Sequence, residues 1–125
     1  DSFLTLMAQY FEVVIFTAGT ADYADWALGF LESSAKAISH RLYRRHTIPM
    51  KGNYLKDLSR LGRSLRKTII VDNLAENFSL HPENGIAIKT WQSDAKDTAL
   101  FQLAPLLLKI CESGGVDDVR QYLQT

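Results

Sequence analysis

Cysteine, long apolar runs and net charge are all scarce in this chain of 125 residues, and each shortage excludes something. Cys111 is the only cysteine, so no intrachain disulfide framework can form, and a reducing, intracellular compartment is expected. The longest apolar stretches, such as Leu103 to Leu108, fall far short of a membrane span. No basic-then-apolar leader precedes them, so no secretory signal is expected. Formal net charge is zero, which argues against a chain that coats nucleic acid directly and non-specifically. Repeats and low-complexity segments are also missing. What remains is an ordinary globular composition, 46% hydrophobic and 22% charged, in a length that suits one domain with a real core.

The charge is unevenly placed. Arg41, Arg44, Arg45, Lys51, Lys56, Arg60, Arg63, Arg66 and Lys67 stand against Asp57 alone. Such a run is either a solvated basic face or a surface that steers an anionic, phosphorylated partner.

The stretch from Phe11 to Thr20 organises the rest. Phe11-Glu12-Val13-Val14-Ile15-Phe16 suits a strand buried on both faces of a parallel sheet. It ends in Thr17-Ala18-Gly19, and a helix pattern follows from about Ala21. Thr17 is then either a plain helix cap or a hydroxyl beside backbone N–H groups at the carboxyl edge of the sheet, where open α/β folds bind ligands and helix starts favour anions.

Around it the chain alternates elements. Ser2 to Tyr10 reads as a helix, and so does Asp22 to Leu31. Ala37 to Tyr43 alternates loosely as a strand, and Arg44 to Lys51 is a loop or a short strand broken by Pro49. Gly52 opens a turn, and Leu58 to Leu65 is a short polar helix or turn containing Gly62. Lys67 to Asn73 is a second buried strand, His81 to Gly85 a turn and Ile86 to Ile88 a third strand. Asp94 to Cys111 is a long amphipathic helix with Leu100, Leu103, Leu107 and Ile110 inward and Pro105 as a candidate kink; Val116 to Leu123 closes the chain. Strands alternating with helices predict an α/β fold, a parallel sheet with helices on both faces. Thr17 and the pair Asp72-Asn73 would lie along its carboxyl edge. The hydroxyl and Lys56 would hold phosphate oxygens, and Asp72 and Asn73 supply the hard oxygen ligands that Mg²⁺ prefers.

Three motifs then coincide. Phe11 to Ala18, Gly52-Asn53-Tyr54-Leu55-Lys56-Asp57-Leu58-Ser59, and Ile70-Val71-Asp72-Asn73 followed by His81-Pro82-Glu83-Asn84 closely resemble the NLI-interacting-factor phosphatases. These are the small phosphatases of the RNA polymerase II C-terminal domain and their nuclear-envelope relatives, in the haloacid dehalogenase superfamily. The resemblance covers essentially all of residues 1–125 as the C-terminal portion of one phosphatase-like domain. It implies a Rossmann-like parallel sheet and a Mg²⁺-dependent phosphoserine/phosphothreonine phosphatase that works through an aspartyl-phosphate. The implied partner is a phosphorylated protein or peptide, with the RNA polymerase II C-terminal domain as one candidate.

By match to the family pattern, Thr17 binds the transferring phosphoryl group and Lys56 neutralises its charge. Asn73 is implied as a metal ligand, and Asp72 as the neighbour that orients the metal shell or Lys56. Arg44 matches a position near the substrate peptide, and Tyr23 lines a pocket for a substrate proline, where Thr20 replaces an apolar residue. Leu74-Ala75 stands where the family usually has Ser-Pro.

The largest departure is a missing signature. The family's first strand ends Asp-x-Asp-x-Thr, whose first Asp attacks phosphorus and whose second acts as acid and base; no such sequence occurs in these 125 residues. The expectation is an incomplete sheet lacking its central strand, with no turnover by this chain, because losing the nucleophile costs many orders of magnitude in rate. Such a sheet would close the gap or borrow a strand from a second copy, since exposed edges invite association. The alternative function is a non-catalytic binding module like the presequence-receptor subunit of the mitochondrial inner-membrane translocase.

Overall fold

The computed structural model describes residues 2–22, 35–88, 95–111 and 117–123, in two compact units, Asp1–Thr47 and Ile48–Thr125. Tyr23 and the helix expected over Asp22 to Leu31 lie almost wholly outside the described residues, as does Trp91.

In the first unit, helix α1 (Ser2–Met7) leads into strand β1 (Val13–Phe16), and strand β2 (Ile38–Leu42) pairs with it in parallel. Val13 aligns with Ile38 and Phe16 with Leu42, with an irregularity between Val13 and Val14. The run thus forms the strand that its β-branched residues predict, but all four residues of β1 are half-buried where burial on both faces is expected. The loose alternation of Ala37 to Tyr43 is a true strand, and both strands end at the same edge.

The second unit begins with a hairpin, β3 (Ile48–Met50) against β4 (Asn53–Leu55), closed by Lys51 and Gly52. Both turn residues have positive φ, 51° and 84°, as a tight two-residue hairpin turn demands. Pro49 therefore ends no strand; it sits within one, in the hairpin's first arm. Two short 3-10 turns follow, Leu58–Leu61 and Leu65–Lys67, separated by Gly62 in the left-handed region. Asp57 and Ser64 cap them through side-chain oxygens that accept from Ser59 N and Arg66 N.

Strand β5 (Ile70–Asp72) pairs in parallel with β6 (Gly85–Ala87), placing Asp72 opposite Ala87. Two 3-10 turns, Ala75–Phe78 and Pro82–Asn84, make the crossover between them. Leu58, Ile70 and Phe78 form a buried cluster, with Leu61 and Leu65 packed on it. Each such buried side chain contributes roughly 1.5–3 kcal/mol, which fixes the crossover against the base of β5.

Helix α2 (Ala95–Cys111) carries Pro105 inside it and buries Ala104, Leu107 and Ile110; of the other residues expected inward, Leu103 is half-buried and the Leu100 side chain lies outside the described ones. Helix α3 (Val119–Leu123) packs on the turns at 65–67 and 82–84 and buries Val119. Asp118 receives the N–H of Arg120 and both ends of its guanidinium; that contact lowers the pKa of the carboxyl and raises that of the guanidinium.

The result is mixed α/β with small parallel sheets. Hydrogen bonds pair β1 with β2 and β5 with β6 as separate two-stranded sheets, where the sequence pattern predicts one larger sheet.

Candidate functional site

The first unit gathers Thr17 and Arg44 at the carboxyl edge of β1 and β2. Thr17 N–H donates to Leu42 O at 3.0 Å, so the loop leaves β1 still tied to β2. The Thr17 hydroxyl accepts from Gly19 N–H at 3.0 Å. That folds Thr17-Ala18-Gly19 into a short turn of the kind Thr side chains favour. Arg44 closes the turn from the other strand: its backbone N–H donates to Gly19 O at 2.9 Å and its Nε to Ala18 O at 2.7 Å. The expected phosphate loop and the expected substrate arginine are thus one hydrogen-bonded structure.

The second unit gathers Lys56, Asp72 and Asn73. Lys56 follows the last residue of β4 and Asp72 is the last residue of β5, and both are buried. Lys56 Nζ donates to Asp72 Oδ2 at 2.6 Å. Two charges this far from water persist only when paired and hydrogen-bonded. Leu74 N–H donates to Asp72 Oδ1 at 3.0 Å, and Asn77 Nδ2 lies 3.2 Å from Oδ1 and 3.4 Å from Oδ2. The Lys56 backbone N–H in turn donates to Asn77 O at 2.8 Å.

Next in the chain, Asp57 Oδ1 accepts from Ser59 N, Ser59 Oγ and His81 Nε2, at 3.0, 2.6 and 2.9 Å. The Ser59 hydroxyl and then the His81 ring hold the Asp57 carboxyl well below its usual range, down to about 2. An ionised carboxylate only accepts, so His81 presents Nε2–H to it. Consecutive residues Lys56 and Asp57 are therefore both pinned by the crossover between β5 and β6.

Asn73 is exposed at the carboxyl end of β5. The oxygens of Asp72 already accept from three donors, and among the described residues no group of three His, Cys, Asp or Glu side chains could hold a metal ion. These residues do not by themselves compose a Mg²⁺ shell. Arg60, Arg63, Arg66 and Lys67 are exposed along the two 3-10 turns that follow Asp57.

Three contributors went unnamed as site residues in the sequence pattern. Asn77 carries no motif beyond lying five residues after Asp72. His81 and Asn84 belong to the His-Pro-Glu-Asn turn, whose spacing alone gave no role. Asn84 Nδ2 donates to Leu65 O and Thr68 O, both at 2.8 Å, and so ties the turn before β5 to the turn before β6.

The sequence profile of the NLI interacting factor-like phosphatases matches residues 1–120. A Dictyostelium discoideum protein named probable C-terminal domain small phosphatase is 48% identical over 123 residues, covering 98% of this chain and 39% of that protein. Mouse carboxy-terminal domain RNA polymerase II polypeptide A small phosphatase 2 is 42% identical over 119 residues, covering 95% and 43%. Human CTD small phosphatase-like protein is 46% identical over 105 residues, covering 84% and 38%. The chain thus spans about two fifths of the length of each.

Proposed function

The chain belongs to the NLI interacting factor-like phosphatase family, and from that premise we propose that it supplies the phosphate-handling portion of a Mg²⁺-dependent phosphoserine/phosphothreonine protein phosphatase domain of haloacid dehalogenase type. The observation that carries the proposal is the buried Lys56–Asp72 pair, held by Leu74 N–H and the Asn77 amide. A lysine fixed at a strand end by a carboxylate is a pre-oriented positive charge for a phosphoryl group. Charge fixed in place before the reaction usually contributes more to such catalysis than any other single effect.

In this reading the Thr17 hydroxyl accepts from Gly19 and donates its own proton to a phosphoryl oxygen. Lys56 offsets the charge that develops as the ester bond breaks, and Asp72 holds its ammonium in place. Three donors on Asp72 favour this role over metal ligation, which leaves Asn73 as this stretch's contribution to a Mg²⁺ shell. Arg44, packed against the Ala18 carbonyl, lies beside the substrate peptide, and Tyr23 lines the pocket for its proline. The partner is a phosphorylated protein segment; the mouse relative's name makes the RNA polymerase II C-terminal domain the first candidate. The phosphatase names of the relatives favour this enzyme reading over a presequence-receptor module. The single cysteine fits a reducing compartment.

The 125 residues contain no Asp-x-Asp-x-Thr, and no other acid is proposed as nucleophile. The chain should therefore bind a phosphoserine peptide without hydrolysing it. Titrating the purified chain with that peptide, followed by amide NMR, should shift the Lys56 resonance. Lys56→Ala should weaken binding at least tenfold, about the share of one charge-assisted contact. Release of inorganic phosphate by the chain, or unaltered binding by Lys56→Ala, would overturn the proposal.

A further inference from the structure

We infer that Asn77 is a positioning residue for Lys56, acting on both members of the buried ion pair from one point of the β5–β6 crossover. Its meaning for function rests on Lys56 being the phosphate-neutralising lysine.

Asn77 touches the pair in two different ways. Its backbone carbonyl accepts from the Lys56 backbone N–H at 2.8 Å, which sets where the lysine leaves β4. Its side-chain amide lies 3.2 and 3.4 Å from the two oxygens of Asp72, which sets the rotation of the carboxylate that holds Nζ. Lys56 has a long stem with many rotamers, and burial alone would not select one. Fixing the root of the side chain through the backbone and its tip through Asp72 selects one. A single residue does both, so the two restraints move together.

The local fold explains why position 77 can do this. Leu74 N–H caps Asp72 Oδ1, which turns the chain back after β5, and the 3-10 turn at Ala75–Phe78 then brings residue 77 over the strand end. Phe78, the next residue, is buried against Leu58 and Ile70 and anchors that turn to the core. His81 adds a second hold by donating to Asp57. The crossover therefore grips two consecutive residues, 56 and 57, and a shift of the turn would be felt at the ammonium.

The donor count gives the arrangement a direction. An ionised carboxylate offers about four acceptor sites. Asn77 straddles the Asp72 carboxylate and leaves Oδ2 facing Lys56. Without the amide, Asp72 keeps the contacts with Lys56 and Leu74 but gains freedom to rotate about its terminal torsion, which is broad for a carboxylate. The hold that Asp72 exerts on the ammonium would then be looser.

Lys56 itself is the readout, in the absence of any phosphate compound. Trace acetylation of the whole chain with acetic anhydride, read by peptide mass spectrometry, reports the accessibility of each amine. Exposed Lys51 serves as the internal reference. Amide hydrogen exchange of β5 and β6 is measured on the same samples, to separate local release from general opening. Asn77→Ala should raise Lys56 labelling relative to Lys51 by roughly three- to tenfold, the span of one hydrogen bond's net worth, with exchange in β5 and β6 unchanged. Asn77→Ser, which keeps a shorter donor and the least disturbance, should fall between Ala and the parent chain. An unchanged Lys56-to-Lys51 ratio would overturn the inference. So would a rise matched by faster exchange in β5 and β6, or Ser exceeding Ala. Failure here leaves phosphopeptide binding untouched, whereas loss of that binding in Lys56→Ala is read without reference to Asn77.

Discussion

Lys56 Nζ and Asp72 Oδ2 stand 2.6 Å apart, joining the ends of two strands that are not hydrogen-bonded to each other, with side chains only 8% and 5% exposed. Breaking one half of such a pair strands a charge away from water, which costs about 3–5 kcal/mol. Lys56→Met should therefore lower the unfolding free energy by about that much in urea titrations. The double variant Lys56→Met with Asp72→Leu should recover much of the loss. Equal destabilisation by the single and double variants would show that the pair is not coupled.

How much of this was written in the sequence depends on the range of the interaction. Thr17 and Asp72 were legible as candidates because each follows or ends a recognisable strand, marked by the β-branched runs Val13–Ile15 and Ile69–Val71; Lys56 was legible only through the family motif, since the short strand Asn53–Leu55 before it reads as a turn in the sequence. Helix α2 was legible from its apolar period. Asn77 was not, since its role arises from a 3-10 turn whose course is set by Phe78 entering a core built from residues 58 and 70. Pro49 misled for a related reason: a proline tolerated on a short hairpin arm looks like a strand breaker when only the local sequence is considered. The two separate parallel pairs also lay beyond reach, because periodicity identifies strands and not their partners.

In the folded chain, acid should protonate Asp57 only after it has protonated most carboxylates. Its pKa lies near 2 in the folded chain against an ordinary 3.8, so the folded state holds the ionised form. A depressed folded pKa contributes stability that is complete above the unfolded value and disappears as pH falls through the folded one. The shift corresponds to roughly 2 kcal/mol at most, lost between about pH 4 and pH 2. Asp57→Asn should be less stable than the parent at pH 7 and should flatten the stability profile within that window. A parallel profile for the two proteins would remove Asp57 as the cause.

Gly85 is predicted to be intolerant of even one methyl group. A Cβ at this position would fall on the Phe78 ring, touching its Cδ1, Cε1 and Cζ atoms, and Phe78 is itself buried. The backbone there is extended and unstrained, so the objection is steric and not conformational. Gly85→Ala should cost about 1–3 kcal/mol as an overpacked core does. Phe78→Leu, destabilising alone through the cavity it leaves, should be less so in the Gly85→Ala background. Additive losses in a double-mutant cycle would contradict the contact.

Asn84 provides a test in which protonation changes the answer. It is 1% exposed, and both hydrogens of its amide serve carbonyls, those of Leu65 and Thr68, while among the described residues no partner reaches its Oδ1. Asn84→Asp keeps the shape, replaces the donor group by an oxygen and sets a carboxylate against two carbonyl oxygens. At pH 7 the variant must either bury an unpaired charge or take up a proton, and a loss of about 2–5 kcal/mol is expected. Near pH 4.5 a protonated acid can donate to one of the two carbonyls, so the gap to the parent should narrow. The sign follows from the raised folded pKa of a buried acid: its penalty is smallest below the unfolded value and grows as pH rises. Asn84→Leu removes the orphaned acceptor as well as the donors and should show no such pH dependence. Urea titrations of the three proteins at the two pH values decide the matter, and an Asn84→Asp deficit that stays constant with pH would mean that this amide does not hold the two turns together.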